Sequence, residues 1–216
     1  MADTAVGGAV EFDGGGPSVE GPSLEGTRVY LRAVTDADYP FLFALSTDEA
    51  TGFRWRFRGE TPSPEGFTHA LWYNTIAQFM ICSIASNEPV GHVVAFNANL
   101  RHRHVHVAMV VRPDRVGRSW ALEGAQLFID YLFANWDFRK VYAEVVDFNL
   151  AQFGSMVDLA VFDIEGRLTE HEYYGGRYWD VVVVALRRER WNELMDAGRA
   201  RRAARRERAM KLLDAQ

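Results

Sequence analysis

The chain has one cysteine, Cys82, in 216 residues, so no internal disulfide can form. That cysteine sits in the apolar run Phe79-Met80-Ile81-Cys82-Ser83-Ile84, which predicts a buried, inert thiol rather than a nucleophile. No segment is long and apolar enough to span a bilayer, and no basic start followed by an apolar run opens the chain. A cytoplasmic protein with no membrane partner is therefore expected. A Gly-x-Gly-x-x-Gly turn after the first strand is missing, which argues against a Rossmann-type dinucleotide site. A Gly-x-x-x-x-Gly-Lys-Ser/Thr loop is missing as well, which argues against a P-loop nucleotide site. No internal repeat is visible, and no metal ion is expected.

Positive charge is scarce everywhere but the C-terminus. Residues 187–216 hold ten Lys or Arg against five Asp or Glu, whereas the remainder holds fourteen against twenty-four. An acidic body makes nucleic acid a poor main ligand and permits an amine substrate. The hydrophobic fraction of 48% suffices for one full core.

Residues 1–22 are glycine-rich and low in complexity, and are read as a disordered tail. Arg28 to Val34 alternates like a strand. Thr35 or Asp36 then caps a helix to about Leu45. Residues 50–66 are irregular and include Phe53-Arg54-Trp55-Arg56-Phe57-Arg58. A second helix is expected from Pro64 to Asn74. Strands are expected at 78–85, 90–98 and 103–111, with Asn87-Glu88-Pro89 as a turn. A helix near 118–135, a strand from Lys140 to Val146, a short helix at 149–158 and a strand at 160–164 follow. Tyr178 to Leu186, with four consecutive valines, reads as a strand. Residues 187–213 read as a long charged helix. The mixed order indicates an α/β layer fold around one sheet.

The most informative stretch runs from Val105 to Glu123. An apolar strand leads into a polar loop with Arg112, Arg115, Gly117 and Arg118, and then into a helix. The N–H groups of a helix's first turn lack intrahelical partners, and the dipole there favours an anion. A phosphorylated cofactor is expected at this loop.

These elements resemble the GNAT family of acyl-CoA-dependent N-acetyltransferases over residues 24–192. The branch they resemble is that of the ribosomal-protein N-terminal acetyltransferases and their small-molecule-modifying relatives. The opening strand Leu24-Glu25-Gly26-Thr27-Arg28-Val29-Tyr30-Leu31-Arg32 carries the resemblance. So do the helix from Glu123-Gly124-Ala125 to Phe133, and Phe138-Arg139-Lys140-Val141-Tyr142-Ala143-Glu144-Val145 with Asn149 beyond it. Glu165-Gly166-Arg167-Leu168, Gly176-Arg177-Tyr178-Trp179-Asp180 and Trp191 complete it. The family's loop signature, Gln/Arg-x-x-Gly-x-Gly/Ala, is matched by Val116-Gly117-Arg118-Ser119-Trp120-Ala121. Val116 and Ser119 depart from it, and Arg115 lies one residue early.

The resemblance implies a mixed, mostly antiparallel sheet splayed between strands 4 and 5, with helices on both faces. It implies a domain over 23–192, followed by an Arg-rich helix at 193–216. It implies acetyl-CoA as cofactor, held by Arg115, Gly117, Arg118, Ser119, Trp120 and Ala121. Main-chain bonds at Met109 and Val111 would take the pantetheine arm as an added strand. Asn149 would anchor that arm, or equally cap the next helix.

For proton removal from the amine the resemblance points to Glu144, five residues before Asn149. The alternative is a surface glutamate on a strand. His104 and His106 share a strand face and resemble the paired histidines of serotonin N-acetyltransferases, but counted from the phosphate loop they fall one residue off register. His106 is the third-choice catalytic residue, with a solvated strand start as the alternative. The family's thiolate-protonating tyrosine has no match between Asn149 and Phe162. Ser155 is the nearest hydroxyl, or else a helix serine facing solvent.

The acceptor side is expected at residues 47–75 and in the 165–180 connection, since loops on a rigid scaffold carry specificity. Trp55, Arg56, Trp72 and Tyr73 are candidates for lining it, with core packing as the alternative for any one aromatic. Arg54, Arg56 and Arg58 suit a carboxylate or phosphate on the acceptor or on a succinyl-type donor, or form a solvated strip. The sequence leaves open a peptide N-terminus, an amino sugar or another small amine. A catalytically silent acyl-CoA-binding module is the competing function, and the basic tail suits either a homodimer arm or a solvated helix.

Overall fold

The computed structural model describes residues 24–115, 119–150 and 161–213, with side chains omitted at 115, 119 and beyond 200. The expected disordered tail at 1–22, and the expected helix at 149–158 from residue 151 onward, lie outside the described residues.

Seven strands form one sheet: β1 (Val29–Ala33), β2 (Thr75–Ser83), β3 (Pro89–Asn99), β4 (His104–Val111), β5 (Lys140–Val146), β6 (Asp163–Tyr174) and β7 (Arg177–Arg187). The helices are α1 (Tyr39–Thr47), α2 (Pro64–Trp72), α3 (Ser119–Asn135) and α4 (Arg188–Leu213). Strand order is β1-β2-β3-β4-β5-β7-β6. Every neighbouring pair is antiparallel except β4 and β5, which run parallel. The mixed, mostly antiparallel sheet implied by the resemblance is present, with helices on both faces.

The sheet separates two cores. On one face, α3 lays Leu127, Phe128, Ile129, Leu132 and Phe133 against Val29, Leu31, Ile81, Val93, Val105 and Val141. Gly124 lets α3 approach: a Cβ there would stand 2.9 Å from Ile81 Cδ1 in the buried interior. Trp191 of α4 reaches the same core, and its indole N–H donates to Asp130 Oδ1 at 2.7 Å. On the other face, α1 and α2 pack Leu42, Leu45, Phe67 and Leu71 onto Met80, Cys82 and Val110. Cys82 is fully buried there, as its apolar surroundings predict.

Local chemistry explains how the helices start. Ser63 accepts a hydrogen bond from the Gly66 N–H at 3.2 Å, and Pro64 occupies the first turn of α2. The Asp38 carboxylate accepts from the Thr35 N–H at 2.8 Å and binds the Arg32 guanidinium through both oxygens at 2.7 Å. That fork ties β1 to the start of α1.

The sequence reading of 160–180 is overturned. The strand expected at 160–164 runs from Asp163 to Tyr174, and the supposed connection at 165–180 is a hairpin of two long strands. Tyr174 pairs with Arg177 around Gly175 and Gly176, whose φ angles of +60° and +82° suit a two-residue turn of glycines. The strand was missed for a physical reason. As a sheet edge, β6 is exposed along nearly its whole length and carries Glu, Arg, Thr and His, so it lacks apolar alternation.

Candidate active site

Parallel pairing of β4 with β5 lasts only three rungs: His104 with Lys140, Val105 with Val141, and His106 with Tyr142. Beyond them β4 continues to Val111 beside β3, and β5 continues to Val146 beside β7. The facing edges, Val107–Val111 and Ala143–Val146, thus have no strand partner among the described residues. Backbone N–H and C=O groups along such an edge require partners. An extended chain bearing amides, laid along β4, would supply them. Met109 and Val111, the residues expected to make those bonds, are on this edge. At the same end, α3 begins at Ser119, so the N–H groups of Ser119, Trp120 and Ala121 lie in its first turn. Of the other expected phosphate-loop residues, Gly117 and Arg118 lie outside the described residues, and so does Ser155.

Side chains of His104 and His106 on β4, and of Tyr142 and Glu144 on β5, share the sheet face that carries α1 and α2. His106 Nε2 stands 3.9 Å from Glu144 Oε1. The imidazole stacks on the Tyr142 ring, with 5.5 Å between centroids and 29° between planes. The Tyr142 hydroxyl donates to Glu165 Oε2 at 2.7 Å, and Lys140 Nζ pairs with the same carboxylate. Glu165 is held below the usual carboxylate range, first by the Lys140 hydrogen bond and then by Tyr142. Desolvation, and next the neighbouring His106, push the His104 imidazole below its ordinary value. The two residues read as rival bases therefore stand side by side. The irregularity near the histidines lies in β3, between Phe96 and Asn99, and leaves the alternation along β4 intact.

The segment 50–59 roofs this face. It is a succession of turns, yet Phe53, Trp55 and Phe57 are all buried. Trp55 is 1% exposed and packs edge-on against Phe57 and His92. The expectation that Trp55 lines an acceptor pocket is thus corrected: an aromatic inside a turn-rich segment still enters the core when its neighbours cap the layer. Trp72 and Tyr73 are exposed at the end of α2, with the Trp72 indole donating to the Tyr39 hydroxyl at 3.1 Å.

The three arginines that alternate with these aromatics take different places on this face. The Arg54 guanidinium donates to Asn149 Oδ1 and lies 5.0 Å from the centroid of Phe148. Arg56 lies 4.6 Å over the ring of Phe96. Arg58 donates to the Glu144 carbonyl at 3.4 Å and faces Glu172 at 3.5 Å. Phe53 stacks on Tyr174 at the tip of the β6–β7 hairpin, 4.0 Å between centroids. Asn149, read as a pantetheine anchor or a cap, is buried in the short turn Asp147–Asn149 and receives Arg54. The contributions of Tyr142 and Tyr174 escaped the sequence reading, whereas Arg54 and Arg58, read as oxyanion binders or a solvated strip, meet Asn149 and Glu172 respectively. The arginine–aromatic alternation was the one visible signal.

The sequence profile described as "Acetyltransferase (GNAT) domain" matches residues 28–156, more than half of the chain. The chain belongs to the GNAT acetyltransferase family. It is an N-acetyltransferase that uses acetyl-CoA to acetylate a primary amine. A curated relative, spermidine N(1)-acetyltransferase of Vibrio cholerae serotype O1, is 23% identical over 158 residues, covering 72% of this chain and 90% of the relative. The crystal structure of a Vibrio cholerae spermidine N-acetyltransferase in complex with CoA and spermine has a TM-score of 0.65 at 21% identity, covering 76% of this acetyltransferase and 97% of that chain. A GNAT-family acetyltransferase from Bacillus anthracis has a TM-score of 0.62 at 18% identity, covering 77% and 98%. At these identities the structures establish a shared fold. The ribosomal-protein branch rests on the sequence resemblance alone. Among the described residues no helix is long and apolar enough to cross a membrane.

Proposed function

We propose that this acetyltransferase works at the opening between β4 and β5, with a small-molecule primary amine approaching over the face that holds His106 and Glu144. The observation that carries the reading is the end of β4–β5 pairing at the His106–Tyr142 rung. It frees a strand edge for the pantetheine arm beside the two proton-accepting side chains. Residues 115–121 would hold the pyrophosphate, with backbone donors from the first turn of α3. Acetyl-CoA supplies an activated thioester carbonyl.

The protein's own part is to orient the amine and remove its proton. Glu144 accepts that proton at Oε1, directly or through one water, and His106 is close enough to share it. Tyr142, fixed by Glu165 and Lys140, holds the imidazole in plane-to-plane contact. Ser155 is the proposed donor to the departing thiolate, supported by its being the first hydroxyl after Asn149. A CoA thiolate leaves readily without full protonation, since thiols titrate near pH 8.5 by analogy with cysteine.

The test is thermal melting with acetyl-CoA and free CoA, followed by CoA release with a panel of primary amines. Ligand at 100 times its Kd stabilises the native state by about 2.7 kcal/mol. A rise in Tm with acetyl-CoA together with amine-dependent CoA release is the expected result. Tight acetyl-CoA binding with no release across the panel would overturn the catalytic reading.

A further inference from the structure

Arg56 is the group that the acetyl-transfer reading leaves unused. Its guanidinium is half-buried, and desolvation pushes its pKa below the ordinary arginine value. Among the described residues no carboxylate pairs with it. Its two hydrogen bonds, to Thr75 Oγ1 at 3.4 Å and to the Ala70 carbonyl at 3.5 Å, sit at the limit of the interaction. A guanidinium has five N–H donors in a planar fork, and taking it out of water without a counter-charge is costly. The same cation helps hold the neighbouring buried His92 neutral.

The position of Arg56 gives this charge a direction. Phe96, whose ring carries the guanidinium, is paired with His106 across β3 and β4, and the two rings lie 6.0 Å apart. His106 in turn faces Glu144. One aromatic ring therefore separates an under-partnered guanidinium from the proton-accepting pair, on the same face of the sheet. Arg54 and Arg58 lie on the same roof segment and add positive potential, although each has a partner of its own. A second ammonium on the acceptor would meet like charge here.

Building on the acetyl-transfer reading, we infer that Arg56 is the specificity-determining residue for an acceptor that carries an oxyanion, carboxylate or phosphate, on the same small molecule as its primary amine. The oxyanion takes the free donors of the Arg56 fork, as planar guanidinium recognition favours. The amine then falls against Glu144 and His106. No covalent step is added: the acetyl group passes to the amine nitrogen, whose proton goes to Glu144, and CoA leaves.

The experiment compares kcat/KM for acetyl-CoA-dependent CoA release among ω-amino acids of increasing length, ω-aminoalkylphosphonates, amino alcohols of matched length, 1,4-diaminobutane and spermidine. A preference of about tenfold or more for an anionic acceptor over its matched alcohol is expected, and diamines are expected to be poorest. In Arg56→Met that ratio falls to about one, and Arg56→Lys restores part of it. The carboxylate and phosphonate arms tell which oxyanion is taken. Equal or better use of spermidine, or a ratio unchanged in Arg56→Met, overturns the proposal while leaving acetyl transfer standing. So does a preference for succinyl-CoA over acetyl-CoA that depends on Arg56, because the oxyanion would then belong to the donor. A separate readout covers failure of the acetyl-transfer reading itself. Butyrate and propylphosphonate are expected to raise the Tm of the wild type in the presence of CoA, and not that of Arg56→Met. Absence of any rise overturns the oxyanion site whatever the fate of the acetyl group.

Discussion

His106 Nε2 and Glu144 Oε1 stand 3.9 Å apart across the place where β4 and β5 part. One comes from the strand that offers a free edge to an extended ligand, the other from the strand diverging from it. A proton taken by either group is therefore within reach of both. Substitution of the carboxylate should remove most of the effect. Glu144→Gln is expected to lower kcat/KM about 100-fold with the KM for acetyl-CoA unchanged, and His106→Gln about tenfold. Steady-state CoA release decides it, and a Glu144→Gln enzyme with wild-type turnover rules this base out.

The roof over the site depends on the hairpin turn at Gly175 and Gly176. Gly176 has φ of +82°, and a β-branched side chain there costs roughly 1–2 kcal/mol. Gly176→Val should also loosen Tyr174 from Phe53, whose rings are 4.0 Å apart. The expected signature is a lower Tm and a higher KM for the acceptor, with the KM for acetyl-CoA unaltered. A change in the acetyl-CoA KM alone would place the hairpin on the wrong side of the sheet.

Trp55 separates core packing from acceptor contact. With 1% exposure and three aromatic neighbours, its truncation to Ala should cost about 3–5 kcal/mol in stability. Urea unfolding measures this. Wild-type stability combined with a raised acceptor KM would restore Trp55 to the pocket.

The buried His92 sets an acid limit. Burial, with Arg56 adding to it, pushes its imidazole down to about 3. The unfolded chain titrates near the ordinary value of about 6.5. Below that pH the unfolded state takes up a proton that the native state refuses, so stability present above about 6.5 is lost as the pH falls toward the folded value. The slope is about 1.4 kcal/mol per pH unit. Urea midpoints at a series of pH values should show this slope in the wild type and a flatter one in His92→Gln. Parallel curves for the two proteins would refute it.

Much of the architecture was legible because burial leaves periodic marks. Lys140–Val146 was delimited to the residue, and α3 and α4 to within one, because apolar spacing or helix propensity continues along each. The edge strand β6 left no such mark, since neither face of it is buried. Phe53, Trp55 and Phe57 lie in a segment whose irregular course is legible, but its sequence leaves open whether Trp55 lines the acceptor side or packs in the core. Turns deliver all three rings into the core.

By itself the sequence determined the family-like order of elements, the strand–loop–helix suited to a phosphate, and a short set of ionisable candidates. These follow from local patterns, which one stretch of chain expresses alone. The tertiary structure decided which candidates meet. Glu144 and His106 are 38 residues apart and were read as alternatives, yet three rungs of parallel pairing place them in one site. Arg56 acquired its meaning from Phe96, on a strand 40 residues away, and from the lack of any carboxylate beside it among the described residues. Proximity between distant segments, and the solvent removed along with it, depend on strand order and register, and a linear pattern of residues does not contain them.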